Sequence, residues 1–313
     1  MTIMKTKLVR GLSKIPLFKN PVNATLGKFD GFHNGHQEIL ENLKKAKKEN
    51  NGTNIVISFY PDPLQVLNPN IKYESITTLN QRLKLLCEFD IDYYCLVRFS
   101  LQFSRLEAEK FIKDILIDSY NIQNLFIGAD ACVGYQKKGT SDVIKRIFEE
   151  NNRNTKILSF KQHQDSKVGT KWLRSLIESG DLESFKKLTK RNYIIESRVI
   201  HGDKRGRQIG YPTANLKDNG QMMPLSGIYA TKIKLKDKIY DSVTSVGYRP
   251  TFNCKTKVVE VFILDFPFSE FYGEKVEVEF LKFLRAELKF DSVSELCRQI
   301  EVDIEKAREF LKN

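Results

Sequence analysis

The most constraining feature of the sequence is a change of hydrophobic rhythm near residue 190. Before this point, short apolar runs alternate with segments of helical period. After it, apolar runs follow one another with only turn-rich segments between them. Alternating strands and helices predict a parallel sheet with helices on both faces, whereas strands joined by turns predict an antiparallel barrel or sandwich. The chain has 313 residues, enough for two such cores. We therefore expect two domains, over residues 1–188 and 189–313.

The first half carries five predicted strands with helices between them. Two capping boxes, Thr78 with Gln81 and Ser104 with Glu107, predict helix starts. Gly180-Asp181 predicts a break in the last helical segment. The predicted strands are 22–26, 54–60, 93–97, 124–127 and 156–160, and the predicted helices are 35–48, 78–86, 104–120, 141–150 and 170–190. In a parallel sheet, ligands bind outside the carboxyl ends of the strands, so the first strand-to-helix loop is the place to examine.

The second half predicts a small antiparallel β-barrel closed by a C-terminal helix. Ser292 with Glu295 forms a third capping box, and the segment that follows is amphipathic up to the C-terminus. The predicted strands are 193–201, 227–235, 238–247, 258–266 and 275–284.

Composition limits the classes of protein. The chain has 51 Lys and Arg against 39 Asp and Glu, a net charge of +12. This balance fits a nucleic-acid partner, a membrane surface, anionic small substrates or simply a solvated basic surface. The five cysteines are scattered without a C-x-x-C pair, which argues against disulfides and for a reducing, cytoplasmic location. No apolar run approaches the ~20 residues of a membrane helix.

Residues 27–36 (GKFDGFHNGH) follow the first predicted strand. Glycines at 27, 31 and 35 allow the backbone to approach a phosphate chain closely. The helix that begins near Gly35 directs free N–H groups and the positive end of its dipole at the same place. His33 and His36 can then donate hydrogen bonds to phosphates that gain charge during attack on a phosphorus atom. The alternative is a glycine-rich turn with two surface imidazoles.

Residues 202–215 (GDKRGRQIGYPTAN) follow the first predicted barrel strand. The glycines at 202, 206 and 210 predict a flexible loop, to which basic side chains add positive charge for phosphates. The Lys-Ser/Thr pair of a P-loop is absent. Thr213 and Asn215 present two oxygens on one side of an extended segment, which suits Mg²⁺ carried on ATP. The alternative is an ordinary glycine-rich turn.

The first motif resembles the H-x-G-H signature of the nucleotidylyltransferase superfamily, and the longer string is similar to the FMN adenylyltransferase module of prokaryotic bifunctional FAD synthetases. Residues 58–63 resemble the next block of that family, with Asp62 in place of the usual His. The third block keeps Asp130 but has Ala131 and Val133 in place of two Phe, and the fourth keeps Thr170 and an Arg. The resemblance implies a Rossmann-like domain with catalytic His33, His36 and Arg174. It implies ATP contacts from Gly27, Phe29, Asp30, Gly35, Asp130, Thr170 and Lys171.

The second motif contains Pro212-Thr213-Ala214-Asn215, which resembles the riboflavin kinase signature, and later blocks follow in that family's order. The resemblance implies that Thr213 and Asn215 bind the metal–nucleotide and that Glu260 is the catalytic base. A carboxylate is suited to this role because a primary alcohol must lose its proton as it attacks the γ-phosphate. The implied ATP-binding residues are Gly202, Lys204, Gly206, Arg207, Gly210 and Pro212, and the implied flavin contacts are Arg249, Phe252 and Arg285.

Together the two resemblances imply a bifunctional enzyme that makes FMN from riboflavin and FAD from FMN, with ATP and Mg²⁺. We expect small-molecule partners, flavin-requiring apoproteins as possible product acceptors, and neither nucleic acid nor membrane. One alternative is a riboflavin kinase whose first domain is degenerate or repurposed, because its third and fourth blocks depart from the family pattern. A remoter alternative is a basic nucleic-acid-binding protein.

Overall fold

The computed structural model describes residues 6–12, 16–71, 73–159, 169–202, 205–251, 254–267 and 270–312. The chain forms two compact units. The first contains Met1–Tyr73 and Thr77–Thr170, and the second contains Glu74–Ile76 and Lys171–Asn313. The division of function at residue 188 stays a prediction.

The first unit is built on a six-stranded sheet in the order β1-β4-β3-β2-β5-β8, in which all neighbouring strands are parallel. The chain runs outward from β2 to β3 and β4, and then returns to place β5 and β8 on the other side of β2. The carboxyl ends of β2 and β5 therefore lie at the point where the strand order reverses, which is where such sheets bind ligands. The strands are β1 (Lys7–Arg10), β2 (Val22–Leu26), β3 (Thr53–Tyr60), β4 (Tyr93–Arg98), β5 (Ile122–Gly128) and β8 (Asn154–Leu158). A two-stranded ribbon adds β6 (Cys132–Val133) and β7 (Gly139–Thr140).

Apolar side chains cover both faces of this sheet, as expected for a parallel sheet between helices. Along β3, Ile55 and Ile57 belong to one buried cluster, while Val56 between them belongs to the other. The alternation follows from the two-residue period of a strand. The helices of this unit are α1 (Asn34–Asn50), α2 (Pro63–Leu67), α3 (Leu79–Glu88), α4 (Ala108–Lys110) and α5 (Ser141–Glu150). The capping box at the start of α3 is confirmed, since Thr78 and Gln81 exchange both hydrogen bonds.

The capping box predicted from Ser104 and Glu107 is wrong. Ser104 lies in a 3₁₀ turn (Phe103–Arg105), and its hydroxyl donates to the Leu101 carbonyl at 2.7 Å instead of capping a helix. The helix begins at Ala108, without a side-chain cap from Glu107, and continues as a π-helix over Phe111–Ser119.

The second unit contains a closed barrel in the order β10-β13-β12-β11-β14-β9, with antiparallel pairing throughout. The expected barrel and C-terminal helix are therefore confirmed. The strands are β9 (Tyr193–Ile200), β10 (Ala214–Leu216), β11 (Gly227–Leu235), β12 (Lys238–Thr251), β13 (Cys254–Ile263) and β14 (Lys275–Arg285). The helices are α6 (Thr170–Ser179), α7 (Leu182–Thr189), α8 (Arg205–Gln208) and α9 (Val293–Lys312).

At the start of α9, the Ser292 hydroxyl accepts a hydrogen bond from the Glu295 amide at 3.2 Å, as the capping box predicts. The Glu295 carboxylate accepts from the amide of Asp291 rather than from that of Ser292. Within the described ranges, no helix has both the length and the apolar character needed to cross a membrane.

Candidate active sites

The loop after β2 is held in an unusual backbone conformation. Phe29 and Phe32 both have positive φ angles, 51° and 53°, although neither is glycine. Such conformations are costly and persist where the surroundings enforce them, often at functional sites. Here both rings are buried, at 0% and 1% exposure. Gly27 lies under the Phe29 ring, and a Cβ at residue 27 would lie 2.9 Å from Cε2 of that ring. Phe29 is buried as a whole residue, and its predicted contact with ATP stays a prediction.

His33 and His36 form a stacked pair at the start of α1. His33 is the N-cap, and its Nδ1 accepts a hydrogen bond from the His36 amide at 3.3 Å. The two imidazole centroids lie 3.7 Å apart, and the Phe29 ring lies 4.7 Å from that of His36. Nδ1 of His36 is buried and has no hydrogen-bond partner among the described atoms.

Both imidazoles are neutral at pH 7. Burial lowers the pKa of His33 to about 4, although the negative charge of Asp130 acts to raise it. Burial also lowers the pKa of His36, and the proximity of His33 lowers it further. The pair can therefore donate hydrogen bonds to phosphates, but it brings no positive charge of its own.

Asp30 anchors this loop. Its side chain is fully buried, and its Oδ1 accepts hydrogen bonds from the amide and the hydroxyl of Thr77 at 2.9 and 2.8 Å. Oδ2 accepts from the Tyr73 hydroxyl at 2.8 Å, and Arg82 lies 4.0 Å from Oδ1. The backbone carbonyl of Asp30 accepts from Thr170 Oγ1 at 3.4 Å. The structure thus brings two predicted residues, Asp30 and Thr170, together, and it adds Thr77, Tyr73 and Arg82, which sequence motifs did not indicate.

Asp130 follows β5, whose carboxyl end adjoins that of β2. It is exposed and acts on His33 electrostatically, so it faces the same site. Gly134 and Gly139 in the β6–β7 ribbon pack against Ala108, where a Cβ on either glycine would collide with that residue. The glycines of this block therefore serve close packing of the ribbon.

Lys171 and Arg174 lie in the first turns of α6, within the second compact unit. Arg174 donates a hydrogen bond to the Glu74 carbonyl at 2.6 Å. Their predicted contact with the triphosphate stays a prediction.

The loop between β9 and β10 forms one wall of a cavity of about 280 Å³ in the second unit. Two of its glycines are sterically required, because a Cβ on Gly202 would collide with the Asn215 side chain and one on Gly206 with the Tyr211 carbonyl. The cavity is lined by Gly202, Gly206, Arg207, Gly210, Pro212, Thr213, Asn215 and side chains from β13 and the segment after it. All of these loop residues were predicted to bind ATP or its metal.

Glu260, Thr213 and Asn215 converge beside this cavity. Asn215 on β10 pairs directly with Glu260 on β13, and Thr213 Oγ1 donates to Glu260 Oε2 at 3.3 Å. On its other side, Glu260 pairs with Ser245 on β12. The sequence separates Thr213 from Glu260 by almost fifty residues, and the barrel brings them into contact. Among the described residues, no cluster of three or more His, Cys, Asp or Glu could hold a metal by itself.

The predicted flavin contacts are only partly described. Phe252 and the side chain of Arg249 lie outside the described residues, and so does Lys204, which was predicted to bind ATP. Arg285, at the end of β14, makes a bidentate pair with Asp303 on α9, with Nε–Oδ1 and Nη2–Oδ2 distances of 2.9 and 2.6 Å. The pair joins the barrel to the C-terminal helix. Asp303 carries no sequence signal that singles it out from the other acidic residues of α9.

Comparison with known proteins identifies the family of each half of the chain. The riboflavin kinase family model matches residues 189–311, and the FAD synthetase family model matches residues 16–171. The bifunctional riboflavin kinase/FMN adenylyltransferase of Buchnera aphidicola (subsp. Schizaphis graminum) is 34% identical over 308 residues, covering 97% of this chain and 98% of that protein. That of Bacillus subtilis is 33% identical and covers 92% of each chain.

A crystal structure from Streptococcus pneumoniae, described as a macrolide-efflux protein, has a TM-score of 0.88 at 30% identity, covering 97% of this chain and 98% of that one. These findings confirm the predicted fold class. They support the two-activity interpretation and not the kinase-only alternative. This chain belongs to the bifunctional riboflavin kinase/FMN adenylyltransferase family.

Proposed function

We propose that Glu260 and the loop before β10 carry out the first of the family's two reactions, and that the loop after β2 carries out the second. The enzyme converts riboflavin to FMN in its C-terminal domain and FMN to FAD in its N-terminal domain, so flavin is both substrate and product. We place the functional boundary at residue 188, which leaves the barrel and α9 to the kinase. The observation that carries the proposal is the contact of Thr213 with Glu260 opposite Asn215.

In the kinase reaction, Glu260 accepts the proton of the ribityl 5′-hydroxyl as its oxygen attacks the γ-phosphorus of ATP. The bond between the γ-phosphorus and the bridging oxygen breaks, and ADP leaves. The loop residues Gly202, Lys204, Gly206, Arg207, Gly210 and Pro212 surround the nucleotide, and Arg249, Phe252 and Arg285 contribute to the flavin side.

Mg²⁺ fits the donor set at Thr213 and Asn215. A hydroxyl and an amide oxygen are hard ligands, and Mg²⁺ in kinases takes most of its remaining ligands from phosphates and water. When bound, the ion neutralises charge on the phosphates; the protein residues orient the nucleotide and the attacking hydroxyl.

In the adenylyl transfer, a phosphate oxygen of FMN attacks the α-phosphorus of ATP, and pyrophosphate leaves as the bond to the bridging oxygen breaks. His33 and His36 donate hydrogen bonds to the phosphates. Gly27, Phe29 and Gly35 form the loop around the triphosphate, while Asp30 holds this loop and Asp130 faces the site from the segment after β5. Thr170, Lys171 and Arg174 complete the proposed ATP contacts.

An open surface depression beyond β4 is our candidate position for the FMN acceptor. Arg98 and Arg105 line it together with Phe103, which packs edge-on against Phe111 with centroids 6.0 Å apart. Two guanidinium groups and an aromatic wall suit an anionic flavin. This wall offers aromatic surface that Ala131 and Val133 do not.

We further propose a cytoplasmic location, because the four cysteines whose side chains the structure describes are all free thiols. Flavin-requiring apoproteins would take up the product. We propose no nucleic-acid partner, since the positive charge has a use in binding ATP and phosphorylated flavins.

A Glu260→Gln variant tests the assignment. We expect FMN formation from riboflavin to fall at least about 100-fold, as for loss of a general base, while FAD formation from added FMN continues. Glu277→Gln is the matched control, because Glu277 is another half-buried glutamate on a barrel strand. Equal kinase rates in Glu260→Gln and Glu277→Gln would contradict the role of Glu260.

A further inference from the structure

The loop after β2 also carries a cation, beside the neutral imidazoles of the adenylyl-transfer site. Lys28 lies in the loop after β2, between Gly27 and Phe29, and its side chain is 30% exposed. No motif assigns it a role. Its Nζ lies 2.6 Å from Oδ2 of Asp62, the residue that stands where the family usually has His.

Three contacts fix the Lys28–Asp62 pair in place. Oδ1 of Asp62 accepts a hydrogen bond from the Leu64 amide at 2.9 Å, which leaves Oδ2 for Lys28. Nζ of Lys28 lies 3.3 Å above the centroid of the Tyr73 ring, a cation–π contact. The Tyr73 hydroxyl in turn donates to the buried Asp30. The ammonium group is thereby joined to the same network that anchors the loop.

The position of the pair points to ligand binding. Lys28 follows β2 and Asp62 follows β3, and β2 and β3 are parallel neighbours. Both residues thus lie at the carboxyl edge of the sheet, beside the reversal of strand order. A partly buried ion pair gains little net stability, because the cost of removing the charges from water offsets their attraction. An ammonium group has three donors, and the one contact with Asp62 does not exhaust them.

We propose that Lys28 binds a phosphate oxygen during adenylyl transfer and that Asp62 is the positioning residue that holds Lys28 there. The phosphate can belong to FMN or to the triphosphate of ATP, and the experiment distinguishes the two. This inference rests on the proposed function of the first unit. Lys28 thus adds a positive charge from the loop itself to those of Lys171 and Arg174.

The first test is Lys28→Met, which removes the charge and keeps the length of the side chain. We expect kcat/KM for FAD formation to fall about 10- to 100-fold, the range for a lost hydrogen bond to a charged group. A rise in KM for FMN would assign the contact to the acceptor, and a rise in KM for ATP would assign it to the triphosphate. Riboflavin phosphorylation by the same polypeptide should stay unchanged, which controls for folding of the preparation.

The chain offers a matched control in Lys47→Met. Lys47 on α1 also pairs with an aspartate, Asp92, at 2.6 Å and at a side-chain exposure of 22%. Asp92 precedes β4, at the opposite edge of the sheet. If Lys28→Met changes FAD formation no more than Lys47→Met does, the proposal is overturned. A wild-type enzyme that makes no FAD from FMN would instead contradict the proposed function itself.

Asp62→Asn tests the positioning role through the pH profile. Burial lowers the pKa of Lys28. The charges of Asp62 and Asp30 raise this pKa, and that of Arg82 lowers it further. Tyr73 is the other titratable group in contact with Lys28. Without the Asp62 charge the ammonium group loses its proton at lower pH. We expect the alkaline limb of the FAD-forming rate to move to lower pH in Asp62→Asn, and an unmoved limb would overturn the positioning role.

Discussion

The neutral state of His33 has a measurable effect on the stability of the first unit. The folded pKa is about 4, against 6.5 for an unperturbed histidine. Between pH 6.5 and about 4, His33 therefore binds a proton in the unfolded chain but not in the folded chain. Stability that is fully present above pH 6.5 is lost progressively as the pH falls towards 4.

The size of this effect follows from the two pKa values. Over the whole range, the 2.5-unit difference between 6.5 and about 4 corresponds to about 3 kcal/mol. Between pH 7 and pH 5, the loss amounts to about 2 kcal/mol from His33 alone. The imidazole is only 6% exposed, so solvent screening reduces the figure little. His36 adds to the same trend, because burial lowers its pKa as well.

His33→Asn isolates this contribution, because an Asn at the N-cap can still accept from the His36 amide. Urea unfolding followed by circular dichroism at pH 7 and pH 5 gives the free energy of unfolding at each pH. We expect the variant to lose about 2 kcal/mol less than the wild type between these values. His201→Asn, at an exposed histidine of the second unit, should behave like the wild type. Identical pH dependence in His33→Asn and the wild type would refute the conclusion that His33 is buried in its neutral form.

Three further predictions concern residues placed by the structure. Gly206→Ala puts a Cβ against the Tyr211 carbonyl. We expect KM for ATP in the kinase reaction to rise about tenfold or more, while FAD formation from FMN is unchanged. Equal KM values in the variant and the wild type would contradict the conclusion that this loop has no room for a side chain at residue 206. Arg285→Ala removes the charged partner of the buried Asp303, which keeps only the hydrogen bond from Gln299, and should lower the free energy of unfolding by about 3 kcal/mol. Lys113→Ala, at an exposed ion pair on a helix, should leave the urea midpoint unchanged. Asn23→Ala removes an amide bonded to Asn54 and Asn124 on the two neighbouring strands and to Asn50 at the end of α1, and it should lower the free energy of unfolding by about 1–3 kcal/mol; an unchanged urea midpoint would show that this group of amides contributes nothing.

Local signals in the sequence account for most of the predicted fold. The two-residue and helical periods and the Thr78 cap depend on neighbours within a turn, so they can be recognised without tertiary structure. The same reasoning failed at Ser104, whose hydroxyl had a competing acceptor in the Leu101 carbonyl. Strand β1 was not predicted, because its four residues gain their order from pairing with β4, more than eighty residues away.

The residues of the candidate sites likewise divide into those with a local sequence signal and those that only tertiary contacts identify. The motifs indicated Thr213, Asn215 and Glu260, and the barrel register explains why residues so distant in sequence lie together. Residues that join a site only through tertiary contacts carry no signal in the sequence. Asp303, the ion-pair partner of Arg285, is one of them. Lys28 and Asp62 each lay inside a recognised block, but only the parallel pairing of β2 and β3 shows that they form a pair.

The central claim is that one chain carries out both reactions in sequence. The most direct measurement is a time course of flavins, separated by chromatography, after the pure protein is mixed with riboflavin, ATP and Mg²⁺. The account predicts that FMN rises first and FAD follows, with ADP and pyrophosphate as the other products. FMN accumulating without FAD would contradict the assignment of the first unit, and no conversion of riboflavin would contradict that of the barrel.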